Sequence, residues 1–218
     1  MIDTYIFDMD GTLVDSLPDL TVVTNMALES VGFPTHTEDE VRSFVGNGAE
    51  ILVRRACPAD AYSDIVDHVL ATWRQLYPVY GLSKTEPFPG MVEAVRTLKE
   101  QGKGVGVVSN KFDAALKKVA ERYYPGLFDV AVGESKVTPR KPDPTGLLKA
   151  ISDLGSVPER TVFVGDTHTD LETARNAGVR CIILSWGYER GDFYETCEAD
   201  AVMSSAQELL QFAQENDI

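Results

Sequence analysis

IFDMDGTLVDS, residues 6–16, closes a short apolar run with two aspartates one residue apart, followed by a glycine. Like charges that close repel, and a buried carboxylate without a partner is costly. If the extended geometry persists, residues i and i+2 share a face, which puts the Cα atoms of Asp8 and Asp10 ~6.6 Å apart before one cavity. Something must offset that repulsion.

Outward from this stretch, short β-branched or glycine-bounded runs recur at 4–7, 104–109, 128–132, 162–165 and 181–184. They read as buried parallel strands. Amphipathic patterns at 90–101, 112–123, 144–154 and 169–177 read as helices between them, the last stopped by Gly178. Strands alternating with helices predict an α/β protein with a doubly wound parallel sheet. Such sheets gather ligands at the carboxyl ends of their strands, where Asp8 and Asp10 fall.

One long interruption breaks the alternation. Residues 18–80 read as successive helices at 20–31, 38–45, 49–56 and 64–77 without a credible strand, and Thr37 with Glu40 forms a capping box for the second. The predicted organisation is a catalytic core of residues 1–15 and 86–218, with an all-helical cap of residues 16–85 inserted on two hinges.

Composition narrows the function. A chain of 218 residues with 44% hydrophobic content suits one core with a sizeable insertion. A net charge of −14 argues against nucleic acid and anionic membrane as partners, because both reward clustered lysine and arginine. The expected partner is a small molecule, and oligomeric state is not legible. No apolar run is long enough for a bilayer, and Met1 leads straight into an apolar segment, so a cytoplasmic location is expected. Cys57, Cys181 and Cys197 show no C-x-x-C pairing, and His36, His68 and His168 are too scattered to suggest a metal site.

Further strand ends carry complementary groups. SNK (Ser109, Asn110, Lys111) follows the second strand, PRKPDP holds Lys141 between prolines, and GDTHTD places Asp166 and Asp170 after the fourth strand. Each has an ordinary reading as a cap, a turn or a solvated charge. Together, in this order and on these strand ends, they make a site.

DMDGT, SN, the lysine of RKPDP and GDTHTD resemble the four ordered motifs of the haloacid dehalogenase superfamily of phosphohydrolases, and the resemblance spans essentially the whole chain. VGNGAEILVRRA (45–56), SNK, WGYERG and EADAV resemble the phosphoglycolate phosphatases within it. The resemblance implies a Rossmann-like core and hydrolysis of a small phosphate ester through an aspartyl phosphate. Asp8 would be the nucleophile and Asp10 the general acid and base. Mg²⁺ would be held by the Asp8 and Asp166 carboxylates and the Asp10 backbone carbonyl, which answers the charge crowding of the opening stretch. Lys141 would neutralise Asp8 and a phosphate oxygen. Ser109 and the backbone around Gly11 and Asn110 would cradle the others. Asp170 would orient Lys141 or metal-bound water.

For specificity, Asn47 and the helix start at GNGAE, with Arg42, are the candidates to bind a carboxylate such as that of phosphoglycolate. Other readings stay open. Pyrophosphate, nucleotides and sugar phosphates are alternative substrates. A phosphoglucomutase-like phosphotransferase is less favoured, because the histidine of those relatives is replaced by Leu20. A phospho-acceptor signalling module is disfavoured by the large insertion.

Overall fold

The computed structural model describes residues 1–216. In chain order the elements are β1 (Thr4–Phe7), β2 (Val14–Asp15), α1 (Leu17–Glu29), α2 (Glu38–Arg42), α3 (Gly48–Ala56), α4 (Ser63–Tyr80) and β3 (Glu86–Pro87). Then come α5 (Met91–Glu100), β4 (Gly104–Phe112), α6 (Asp113–Tyr123), β5 (Val130–Glu134), α7 (Thr145–Asp153), β6 (Thr161–Gly165) and α8 (His168–Ala177). The chain ends with β7 (Arg180–Leu184), α9 (Phe193–Thr196), β8 (Ala201–Met203) and α10 (Ala206–Glu215).

Six parallel strands form one sheet in the order β5-β4-β1-β6-β7-β8. The chain therefore winds outward in both directions from β1, the predicted doubly wound arrangement. Every residue of β1 is buried, because both sheet faces are covered. On one face Tyr5, Phe7 and Val105 pack with Met91, Leu98 and Leu209. On the other, Ile6 and Phe163 pack with Leu147, Ile151 and Leu171.

Helices α1, α3 and α4 enclose an apolar cluster of their own, including Leu28, Leu52, Val69 and Trp73, while Val41 of α2 packs with Leu17 and Tyr188. The chain enters and leaves them through β2 and β3, which pair antiparallel as Val14 with Pro87 and Asp15 with Glu86. Two residues per strand carry no alternation, so that pair was invisible to periodicity. The buried Asp19 carboxylate ties the same crossing, accepting bonds from Lys84 N at 2.8 Å, Thr85 N at 2.6 Å and Thr85 Oγ1 at 2.7 Å.

Several boundaries differ from the sequence reading. The first insertion helix begins at Leu17, not at residue 20, with Pro18 in its first turn, where a missing N–H costs nothing. α2 stops at Arg42, three residues early, as the Ser43 hydroxyl bonds back to Glu40 O. α4 runs past Tyr77 through Pro78 to Tyr80. β5 starts two residues late, because Phe128 packs on Tyr124 and Asp129 bonds to the backbone of Val105. β8 and α10 were not anticipated. Among the described residues, no helix is long and apolar enough to cross a membrane.

Candidate active site

β1 lies between β4 and β6, so the carboxyl ends of three adjacent strands deliver Asp8, Ser109 and Asp166 to one place. β4 does not end at Ser109 as its alternation suggests. It resumes pairing at Phe112 with Glu134 after a register shift, and SNK occupies the irregular stretch. That bulge turns three polar residues towards the site instead of leaving them in the ladder.

The buried Lys141 ammonium joins the carboxylates. Its Nζ lies 2.6 Å from Asp170 Oδ1 and 2.9 Å from Asp8 Oδ1. Asn110 holds the loop beneath it, accepting from Lys141 N at 2.7 Å and donating to Lys141 O at 3.1 Å. Asp170 has a second duty. Its Oδ2 accepts from Thr167 N, Thr167 Oγ1 and Asp166 N, closing a capping box at the start of α8. The residue that positions Lys141 is therefore itself locked by a helix end.

Asp166 is fully buried. Thr12 Oγ1 donates to its Oδ1 at 2.7 Å and Tyr188 N to its Oδ2 at 2.8 Å. Neither partner had been assigned a role, although Thr12 belongs to DMDGT and Tyr188 to WGYERG. Asp10 faces another way: Lys111 Nζ lies 2.8 and 2.9 Å from its two oxygens, and Ser16 Oγ donates to Oδ1 at 2.6 Å. Lys111, read from sequence only as a cation in the second motif, is the direct partner of Asp10.

Burial dominates the electrostatics. It pushes the Asp8 carboxyl up to about 6 against the opposing charge of Lys141, and the negative charge of Asp170 adds to the rise. Burial, Asp170 and Asp8 likewise push Asp166 well above the ordinary carboxylate range. Burial works against the Lys141 charge, but Asp170 and Asp8 outweigh it and hold the ammonium above its usual value. Lys141 alone cannot balance three buried carboxylates. One oxygen from each of Asp8, Asp166 and Asp170 lies within 4.8 Å of the others, a grouping able to hold a metal ion. Asp8 Oδ1 is buried with the Lys141 ammonium 2.9 Å away and no hydrogen bond of good geometry. The Asp10 carboxylate is outside this grouping.

Two glycines make room for Asp166. A Cβ on Gly11, whose φ is +89°, would lie 2.3 Å from Asp166 Oδ2, and one on Gly187 would lie 2.2 Å from Asp166 Cβ. Gly187→Ala should therefore displace a carboxylate that has no free volume around it. The expected cost is about 1–3 kcal/mol with loss of most activity. Thermal melting and a turnover assay would show it, and a fully active, equally stable variant would contradict the packing described.

A cavity of about 580 Å³ opens over these groups, between the sheet and the helical insertion. Asp8, Asp10, Ser109, Asn110 and Lys111 line its floor, and Leu20, Leu52, Trp73 and Tyr77 line the insertion side. Lys141 touches Asp8 from outside the lining, and Asp166 and Asp170 lie outside it with carboxylate oxygens within 4.8 Å of Asp8. The specificity candidates read from the sequence divide between the lining and its surroundings. Neither Arg42 nor Asn47 lines the cavity: Asn47 Nδ2 sits 3.5 Å from Thr169 Oγ1 on α8. The start of α3 itself lines the cavity through Gly46, Gly48, Ala49 and Glu50, and the same turn also packs on the core. A Cβ on Gly48 would lie 2.9 Å from Glu134 Oε2, Asn110 Nδ2 donates to Gly46 O at 2.9 Å, and Arg140 bridges Glu50 and Glu134.

Comparison with known proteins agrees with this geometry. Residues 5–184 match the model of the haloacid dehalogenase-like hydrolases. A phosphoglycolate phosphatase from Nitrosococcus oceani is 33% identical over 94% of this chain and 93% of its own length. One from Aquifex aeolicus is 30% identical over 95% and 98%. Among solved structures, a predicted phosphoglycolate phosphatase from Haemophilus somnus superposes with a TM-score of 0.90 at 27% identity, covering 98% of both chains. A Lactobacillus delbrueckii subsp. bulgaricus protein with the same predicted assignment gives 0.91 at 30% identity, covering 96% of this chain and 97% of its own.

Proposed function

The chain belongs to the haloacid dehalogenase-like hydrolases, and on that premise we propose that it is a Mg²⁺-dependent phosphatase that hydrolyses 2-phosphoglycolate to glycolate and phosphate. The observation that carries the reading is the meeting of Asp8, Ser109, Lys141, Asp166 and Asp170 at adjacent strand ends beneath a helix-walled cavity. The relatives' names support the choice of substrate.

The donor set fits a hard divalent cation: crowded buried carboxylates, and an Asp8 oxygen with no hydrogen bond of good geometry. The carboxylates of Asp8 and Asp166 with the backbone carbonyl of Asp10 would hold Mg²⁺, and Asp170 supports them from the capping box. The ion supplies positive charge where a carboxylate must approach a phosphate dianion.

The chain's own residues do the rest. An Asp8 oxygen attacks phosphorus, the phosphorus–ester oxygen bond breaks, and Asp10 gives its proton to the departing alkoxide. Water then attacks the aspartyl phosphate, Asp10 takes back a proton, and Asp8 is regenerated as phosphate leaves. Lys141 lies where it balances Asp8 before attack and a phosphate oxygen during it. The Ser109 hydroxyl and the amides near Asn110 and Gly11 hold the remaining oxygens. Asn110 fixes the Lys141 loop through two hydrogen bonds, so its side chain positions a charge.

The test is a comparison of kcat/KM for phosphoglycolate, pyrophosphate, nucleoside monophosphates and sugar phosphates, with Mg²⁺ and with a chelator. Phosphoglycolate should lead, and chelation should stop turnover. A better sugar phosphate or pyrophosphate would overturn the substrate, and undiminished activity in chelator would overturn the metal.

A further inference from the structure

Resting on the phosphoglycolate reading, we propose that Lys111 and Tyr77 form the subsite for the leaving group's carboxylate, one donor from the core and one from the helical insertion. The argument starts from the substrate. The carboxylate of phosphoglycolate is attached to the same carbon that bears the ester oxygen, so it cannot stray far from the group that protonates that oxygen. That group is Asp10, and the cation touching Asp10 is Lys111.

Lys111 lines the same cavity as Asp8 and Asp10. Another cation of that lining, Arg140, is engaged by Glu50 and Glu134. Burial works against the Lys111 charge, but Asp10 and Tyr77 outweigh it, so the ammonium stays charged. An Nζ has three donors, and sharing them between Asp10 and a substrate carboxylate is within its capacity.

Tyr77 gives the independent observation. It is only 7% exposed, it lines the cavity from α4, and its hydroxyl makes no hydrogen bond of good geometry, with the Lys111 ammonium interacting beside it. Buried phenols ordinarily find one. Its ring is stacked on Trp73 with centroids 4.9 Å apart, and Lys111 Nζ stands 5.0 Å from its ring centroid. Burial pushes the phenol up, with Lys111 opposing, and the group remains a protonated donor. An ammonium and a phenolic hydroxyl on neighbouring walls suit the two oxygens of one carboxylate. Apolar Leu20, Leu52 and Trp73 share the lining, and its further cations, Arg74, Lys118 and Lys136, are not among the partners of Asp10, where the leaving group must sit. Because Tyr77 arrives from the insertion, a bound carboxylate ties the insertion to the core.

The experiment measures kcat/KM for phosphoglycolate and for ethyl phosphate, which replaces the carboxylate with a methyl group, in the wild type, Tyr77→Phe and Lys111→Met at saturating Mg²⁺. The phosphoglycolate-to-ethyl phosphate ratio should fall about tenfold in Tyr77→Phe and about a hundredfold in Lys111→Met. Wild-type protein with no preference for phosphoglycolate overturns the substrate reading and the subsite with it. A wild-type preference that survives intact in both variants overturns the subsite alone. Should Lys111→Met lose both substrates because Asp10 has lost its partner, Tyr77→Phe decides: its aromatic stack is kept, so an unchanged ratio there overturns the subsite.

Discussion

Asp8→Asn should abolish turnover and, in chelator at pH 7.5, melt several degrees above the wild type. The loss follows from the role proposed for Asp8. An amide cannot form the aspartyl phosphate, and removing a nucleophile of this kind costs on the order of 10⁴ or more in kcat. The gain in stability follows from geometry. Asp8 is buried among Asp166 and Asp170 with one shared ammonium, and its carboxyl is pushed up to about 6.

A carboxyl raised from 3.8 to about 6 makes the folded state carry a penalty on the order of 3 kcal/mol once the pH is well above 6. The sign is fixed by linkage. In the interval between the two values the native protein binds more protons than the unfolded chain, so native stability falls as pH rises. Asp8→Asn removes that slope. Its advantage should be small near pH 4, grow through pH 6 and then level off, at about 2–4 °C per kcal/mol. Melting curves at pH 4.5 and 7.5 check this, and a lower melting temperature at pH 7.5 would count against the crowding described. Mg²⁺ should raise the wild type more than the variant, since a ligand stabilises in proportion to its preference for the native state.

Lys141→Ala should do the opposite for stability while also removing activity. The ammonium is 4% exposed and contacts both Asp8 and Asp170. Deleting one partner of a buried ion pair costs about 3–5 kcal/mol, because the charges left behind remain uncompensated. At about 2–4 °C per kcal/mol, the melting temperature should drop by roughly 6–20 °C in chelator. Lys141→Arg should restore little, since a planar fork is a poor substitute for a compact ammonium between two carboxylates already placed for it. The diagnostic is coupling: adding Asp8→Asn to Lys141→Ala should recover much of the stability, which independent sites would not do. Additive losses would mean that the two groups do not share a charge balance.

The distance between these two outcomes shows how much of the site could be read in advance. Residue types announced which groups converge, because each motif sits on a strand end and an open parallel sheet collects its strand ends along one edge. Partner choice was less accessible. Lys111 was read only as a cation in the second motif, yet it pairs with Asp10. Arg42 and Asn47 were chosen for the carboxylate because they sit near a glycine-rich helix start, and the structure places both outside the cavity lining. The helix start itself lines the cavity through Gly46 and Gly48 while it also packs on Glu134 and Arg140 of the core, a double placement that only the fold could set.

By itself, the sequence determined the parallel α/β core, the helical interruption after the first strand, and the acidic, basic and hydroxyl groups at the strand ends. These depend on patterns with a period of a few residues and on motifs contained within one strand end. Tertiary structure alone decided that Lys111 serves Asp10, that Thr12 and Tyr188 hold Asp166, and that Tyr77 faces the cavity. Those contacts join residues separated by up to 154 positions, as Thr12 and Asp166 are. Electrostatic and hydrogen-bonded partners are selected by distance in space, and only the packing of sheet, helices and insertion sets that distance.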